Sequence, residues 1–173
     1  RGMTADAVGP LALESLLVTR HMIRALPRQF RGFTPVAALA PGVLAQTGME
    51  AAELLRAAAD AAGAGAVVAI DALAARSRDR LCATVQLGDT GLIPGSGVGN
   101  RRNALDRETL GVPVVAVGVP TVIAAAPGGG EELFLTPRDI DEKVRELGRV
   151  IGYGVTLALQ PGLSVEDITG LLG

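Results

Sequence analysis

Residues 65–99, with the sequence GAVVAIDALAARSRDRLCATVQLGDTGLIPGSGVG, decide the fold of this chain. The apolar run at 66–70 predicts a buried strand, and the carboxylate of Asp71 follows it directly. Open α/β sheets bind ligands outside the carboxyl ends of their strands, so Asp71 is a candidate for chemistry. Its alternative role is that of a helix N-cap, because residues 72–80 could form either a short helix or a loop.

The segments around this stretch predict alternating strands and helices. A strand at 36–40, a helix at 49–62 and the strand at 66–70 make one βαβ crossover. Further strands are predicted at 81–87 and 112–119, with 120–125 continuing or pairing with the latter, and helices at 10–26, 139–159 and 165–172, the last capped by Ser164. We expect a single α/β domain over residues 1–173, with three layers, a mainly parallel sheet and helices on both faces.

The composition argues against several classes of function. The net charge is −2 and aromatic residues make up 2% of the chain, which disfavours a binding surface for nucleic acid. Cys82 is the only cysteine, so an internal disulfide is impossible and a reducing, cytoplasmic compartment is expected. The longest apolar run, residues 112–126, contains two prolines and is too short to cross a membrane, so we expect a soluble protein.

A second carboxylate, Asp6, lies ahead of a predicted helix, as Asp71 does. Two carboxylates that meet in one crevice can share a proton and activate water, or they can hold a divalent metal ion. Asp89 and Glu50 are further possible members, each with the alternative role of a capping or solvated side chain. A serine triad and a zinc site are both disfavoured, because the only histidine, His21, lies within the first predicted helix.

Arginines follow two of the candidate segments. Arg76 comes after Asp71, while Arg101 and Arg102 come directly after the glycine-rich loop. They could form a cationic rim that binds acidic side chains, or they could simply be solvated. The loop itself, GSGVGN at 95–100, lacks the residues of a phosphate-binding P-loop and is a weak signal for a nucleotide.

Six segments, taken together, closely resemble the germination protease family of spore-forming bacteria. They are TADAVGP (4–10), PGVLAQTGMEAAELL (41–55), AIDALAARS (69–77), QLGDTGLIPGSGVGNRR (86–102), ETLGVPVVAVGVPTV (108–122) and FLTPRDIDEKV (134–144). They occur in the same order as in the family and extend over nearly the whole chain. The resemblance is therefore far more specific than any single glycine pattern.

The resemblance implies an atypical aspartic endopeptidase that degrades small, acid-soluble spore proteins during germination, in the cytoplasm of the spore core. It implies a three-layer phosphorylase/hydrolase-like fold related to the hydrogenase maturation proteases, synthesis as a zymogen and assembly as a homotetramer. The family's proposed catalytic aspartates match Asp6 in TADAVGP and Asp71 in AIDALAARS. Family members are longer at the amino end, so we expect a prosegment and a first strand ahead of Arg1.

The expected mechanism is attack of water on a peptide carbonyl, with one aspartate ionised as the base and the other protonated. Arg76, Arg101 and Arg102 are candidates to bind a substrate glutamate. No metal or cofactor is expected, because no histidine lies near the matching loops. Two alternatives stay open: a metal-dependent processing peptidase of the hydrogenase-maturation type, and a non-catalytic binding or assembly fragment of the same fold.

Overall fold

The computed structural model describes residues 5–96, 102–125 and 133–173. Its strands are β1 (Val67–Ala75), β2 (Gln86–Gly88), β3 (Val114–Ala125) and β4 (Leu133–Leu135). Its helices are α1 (Val8–Glu14), α2 (Arg20–Ala25), α3 (Leu44–Thr47), α4 (Ala51–Ala62), α5 (Arg107–Leu110), α6 (Ile140–Leu159) and α7 (Val165–Leu172). Two short 3-10 turns, Ala5–Ala7 and Arg78–Arg80, precede α1 and follow β1.

The sheet is built around β3. β1 lies parallel to it, in a register that runs from Val67 opposite Val114 to Ala75 opposite Ile123. β2 and β4 pair with β3 in the antiparallel sense, each over three residues. By length of pairing the sheet is mainly parallel, which confirms the expected α/β fold class.

Helices cover both faces of this sheet. On one face, Val8 and Ala12 of α1 and Ile151 of α6 pack against β3. On the other face, Ala52 of α4 and Leu110 of α5 pack against the strands. Side chains of β1 point alternately to the two faces of the sheet. Val68 and Ile70 pack with α1 and α6 on the first face, and Val67 and Ala69 pack with α4 and α5 on the second. The expected three-layer arrangement is therefore present.

The prediction of a strand at residues 36–40 is wrong. The side-chain amide of Gln160 bonds both the N–H and the C=O of Thr34, at 2.9 and 2.7 Å. The N–H of Val36 donates to the hydroxyl of Thr19 at 2.9 Å. These side chains satisfy the backbone at Thr34 and Val36, and residues 36–40 pair with no described strand, so the predicted βαβ crossover is wrong as well.

The predicted helix at 10–26 is divided into α1 and α2. The N–H of Leu17 donates to the buried hydroxyl of Thr156 in α6, at 3.1 Å. The predicted strand at 81–87 is reduced to β2, because a turn occupies its first half. In that turn Cys82 has a φ of 53°, and its N–H donates to the carbonyl of Pro120 at 2.7 Å.

The other predicted elements agree with the structure, whereas α3, α5 and β4 were not predicted. Residues 120–125 continue β3 as one strand, α4 ends at Gly63 in the left-handed conformation, and α6 runs the full predicted length. Ser164 caps α7 in a reciprocal capping box with Asp167. In the described residues no helix is long and apolar enough to cross a membrane.

β1 forms one edge of the described sheet, and no described strand pairs with its outer side. The expectation of a first strand ahead of Arg1 concerns chain that the structure does not contain, and it stays a prediction.

Candidate active site

Asp71 lies in the middle of β1 rather than at its end. It sits opposite Gly118 in the parallel register, and the strand continues for four residues beyond it. The prediction that the strand ends at this carboxylate is therefore wrong, and so is its alternative role as a helix N-cap. The physical reason is the length of β3, which offers backbone partners to the small residues that follow Asp71.

Asp6 lies in the 3-10 turn that leads into α1, and its side chain is exposed. α1 approaches the sheet closely at Gly9, where an added Cβ atom would lie 3.0 Å from the carbonyl oxygen of Ile70. Ile70 directly precedes Asp71. The absence of a side chain at Gly9 thus allows the turn with Asp6 to lie next to the middle of β1.

Asp6 and Asp71 are both in the wall of one cavity, with a volume of about 480 Å³. The cavity extends along β1 and is bounded by α1, α4 and the segments around residues 39–44 and 92–95. The structure therefore brings together the two carboxylates that the sequence singled out.

The Asp71 carboxyl is partly buried, and burial is the largest influence on its ionisation. Burial raises the pKa of Asp71 above its ordinary value of 3.8, because the charged form loses contact with water. A backbone hydrogen bond at Ala72 lowers the pKa of Asp71, and the negative charge of Asp6 raises it further. The raised pKa means that Asp71 keeps its proton to a higher pH than a fully solvated aspartate does.

Arg102 lies in the same cavity wall, where it pairs with Glu50 at 3.6 Å. Glu50 also caps α4 in a reciprocal capping box with Glu53. Both side chains of the pair are about one quarter exposed, so the guanidinium stays accessible from the cavity. The structure thus assigns Glu50 a capping and pairing role.

The other candidate residues lie elsewhere. Arg76 lines a second, smaller cavity of about 290 Å³ together with Ala74, Arg80 and Gln86. Ala74 lies in the walls of both cavities, so the two are neighbours. Asp89 is exposed and is not among the residues that line either cavity.

Arg101 and most of the glycine-rich loop lie outside the described residues. Within the described ranges, no group of three or more His, Cys, Asp or Glu side chains is arranged to hold a metal ion. His21 is exposed on α2.

Sequence reasoning missed Thr121 as a functional candidate. It is fully buried in β3, it lines the main cavity, and its hydroxyl has no hydrogen-bond partner among the described residues. The available signal was a polar residue within the otherwise apolar run of residues 114–125.

Comparison with known proteins gives the family. The family model described as germination protease matches residues 1–129. A germination protease of Clostridium tetani is 35% identical over 98% of this chain and 67% of its own length. One of Bacillus velezensis is 51% identical over 97% of this chain and 47% of its own length. The chain thus spans about half to two thirds of the length of these two relatives. It belongs to the germination protease family.

Proposed function

We propose that this chain is the peptidase domain of an endopeptidase that degrades small, acid-soluble spore proteins during germination, using two aspartates and an activated water. One observation carries the proposal: Asp6 and Asp71 lie in the wall of one cavity, where burial raises the pKa of Asp71 and the charge of Asp6 adds to that rise. Two carboxylates that share one proton are the basis of two-carboxylate catalysis, and a common cavity wall is the arrangement that such a pair requires.

In this mechanism Asp71 is the acid and Asp6 is the base. The partly buried Asp71 holds a proton and donates a hydrogen bond to the carbonyl oxygen of the substrate peptide, while Asp6, which is exposed, is open to the attacking water. Asp6 removes a proton from water as the water oxygen bonds to the carbonyl carbon, giving a tetrahedral intermediate. The C–N bond then breaks, the leaving amine takes a proton from the aspartate pair, and the new carboxyl group departs.

Arginines near the cavities supply the proposed recognition of acidic substrate side chains. Arg102 is the best placed, because its guanidinium lies in the same wall as the two aspartates and, among the described residues, forms an ion pair only with the partly exposed Glu50. Arg76 would act in the neighbouring smaller cavity, beside Arg80. Arg101 belongs to the same proposal by its position next to Arg102 in the chain.

The wider biology is proposed from the family. Relatives named germination protease support a role in spore germination, hence a location in the spore core. Synthesis as a zymogen and assembly as a homotetramer belong to the same proposal. Both properties are proposed from relatives that are longer than this chain.

The test compares three matched substitutions in the full-length protein: Asp6→Asn, Asp71→Asn and, as the control, Asp89→Asn. We expect the first two to lower hydrolysis of an acid-soluble spore protein by at least about 1,000-fold, since each removes one of the two proton-transfer groups. Asp89→Asn leaves activity near that of the parent. Circular dichroism establishes that all three variants are folded.

A chelator arm addresses the metal-dependent alternative. We expect hydrolysis to survive exhaustive removal of metal ions, whereas activity that is lost on chelation and restored by a divalent ion would favour that alternative. A folded parent protein that binds the substrate and never cleaves it would favour the non-catalytic alternative.

A further inference from the structure

Thr121 occupies a β-bulge next to the proposed catalytic centre. In the register of β1 with β3, Leu73 pairs with Pro120 and Ala74 pairs with Val122, so Thr121 is the extra residue. The carbonyl of Pro120 accepts a hydrogen bond from the N–H of Cys82, which anchors the bulge to the turn after β1. Bulges of this kind redirect one side chain and occur frequently beside active sites.

The hydroxyl of Thr121 is exceptional among the buried polar side chains. Thr19, Thr156 and Gln160 are equally buried, and each makes hydrogen bonds with the backbone of a distant segment. Thr121 is 0% exposed, and its Oγ1 has no partner in the described part of the chain. A buried hydroxyl without a partner destabilises the folded protein, whereas valine, which has the same shape, carries no such cost.

The position of Thr121 indicates which kind of ligand could satisfy it. Thr121 lies in the wall of the main cavity and is three residues along β3 from Gly118, the partner of Asp71. At 3.3 Å per residue this separation is roughly 10 Å. An extended peptide covers that distance with about three residues, so the hydroxyl lies too far away to contact the bond that is cleaved.

We propose that the Thr121 hydroxyl is a substrate-binding group, which forms a hydrogen bond with a main-chain group of an extended peptide about three residues from the cleaved bond. The hydroxyl is covered in this structure, so the contact requires the neighbouring side chains of the cavity wall to move when the peptide binds. The inference rests on the proposed peptidase function. A main-chain partner fits because the wall beside the hydroxyl is formed by Ala74 and Val122, which offer no polar group to select a side chain. The contact would strengthen binding of long substrates irrespective of their sequence at that position.

The test is an isosteric series in the full-length enzyme: Thr121→Val, Thr121→Ser and, as the control, Thr136→Val, which removes a hydroxyl in the loop before α6. Thr121→Val should lower kcat/KM for a long peptide about 3- to 12-fold, mainly through KM, as expected for one neutral hydrogen bond. Thr121→Ser should stay within about twofold of the parent, as should Thr136→Val. A purely structural role would instead change thermal stability and leave kcat/KM unchanged, which would overturn the proposal.

A length series gives a second readout. With peptides that extend fewer than three residues to either side of the cleaved bond, the parent and Thr121→Val should have equal kcat/KM. If the loss in Thr121→Val is the same for short and long peptides, Thr121 does not contact the substrate where we propose.

A binding arm separates this inference from the catalytic assignment. The affinity of the long peptide, measured by fluorescence anisotropy in an Asp71→Asn background, should fall by the same factor when Thr121→Val is added. If Asp71→Asn still cleaves the peptide, the proposed mechanism fails. The affinity of Asp71→Asn for the peptide, compared with that of the double variant, still tests Thr121. Unchanged affinity overturns the Thr121 proposal alone, and the absence of any peptide binding overturns both.

Discussion

Gly9 of α1 lies against the carbonyl oxygen of Ile70 in β1, so closely that a Cβ atom at Gly9 would be 3.0 Å from that oxygen. This contact sets the distance between two segments that are more than 60 residues apart in the chain. Asp6 lies just before the contact on one side and Asp71 just after it on the other. The geometry of the proposed catalytic pair therefore depends on a glycine that carries no chemistry.

Gly9→Ala should reduce activity by pushing the turn with Asp6 away from β1. Relief of this contact needs a shift of a few tenths of an ångström. Since a misplacement of about 1 Å in a catalytic group can cost up to about 100-fold, we expect kcat/KM to fall roughly 3- to 10-fold. Steady-state hydrolysis of a spore-protein substrate measures the loss. Gly65→Ala is the matched control, since an added Cβ there meets nothing within 4 Å. Equal activity of the two variants would show that the approach of α1 does not position Asp6.

The raised pKa of Asp71 has a consequence for stability. Folding disfavours the ionised form of this carboxyl, so its contribution to stability is fully present below the ordinary value of 3.8 and is lost as pH rises through the folded-state pKa. Asp71→Asn abolishes this titration. The free energy of unfolding of the variant should therefore improve relative to the parent as pH increases from 3 to 7. Denaturant melts across this range measure the difference, and a relative change of the opposite sign would refute the raised pKa.

Close packing of α1 on α6 depends on Gly152. A Cβ atom there would lie 2.5 Å from the carbonyl oxygen of Ala12 and 2.8 Å from the Cβ of Ser15. Gly152→Ala should lower the free energy of unfolding by about 1–3 kcal/mol, because the clash with backbone exceeds the gain in helix propensity. Gly154→Ala on the same helix meets nothing within 4 Å and should gain up to about 1 kcal/mol. Urea melts of the pair give the comparison, and destabilisation by both variants would argue against a specific clash at Gly152.

Arg102 is expected to bind an acidic substrate side chain in competition with Glu50. Arg102→Gln should raise KM about 3- to 30-fold for peptides with a glutamate near the cleaved bond, and much less for peptides with glutamine there. Arg107→Gln, which changes an exposed arginine of α5, is the control. The same KM increase for both kinds of peptide would mean that Arg102 supports the cavity without recognising charge.

The sequence predicted β3, α4 and α6 and the start of β1 well, because their signals are local. The apolar runs of β1 and β3 and the amphipathic pattern of α6 depend only on neighbouring residues. The hydrogen bonds of residues 34–36 with Thr19 and Gln160 could not be predicted from the sequence, because they depend on side chains far away in the chain. A short apolar run was therefore mistaken for a strand.

The candidate site was predicted in part for the same reason. Asp71 was found from its position after an apolar run, although the strand extends beyond it because β3 is long. Asp6 was proposed from its position ahead of a predicted helix and then from the family resemblance, whereas its approach to Asp71 depends on the packing at Gly9. Thr121 was missed, because neither its bulge nor its missing hydrogen bond can be recognised before the register of β1 and β3 is known.

The most direct test of the central claim, that Asp6 and Asp71 act as a pair, is a carbon-13 NMR titration of the Asp71 carboxyl in the parent and in Asp6→Asn. The account predicts a pKa for Asp71 above 3.8 in the parent, and a lower one in the variant, because the negative charge of Asp6 is removed while the burial stays. A pKa for Asp71 at or below 3.8 in the parent, or one that does not change with Asp6→Asn, would contradict the claim.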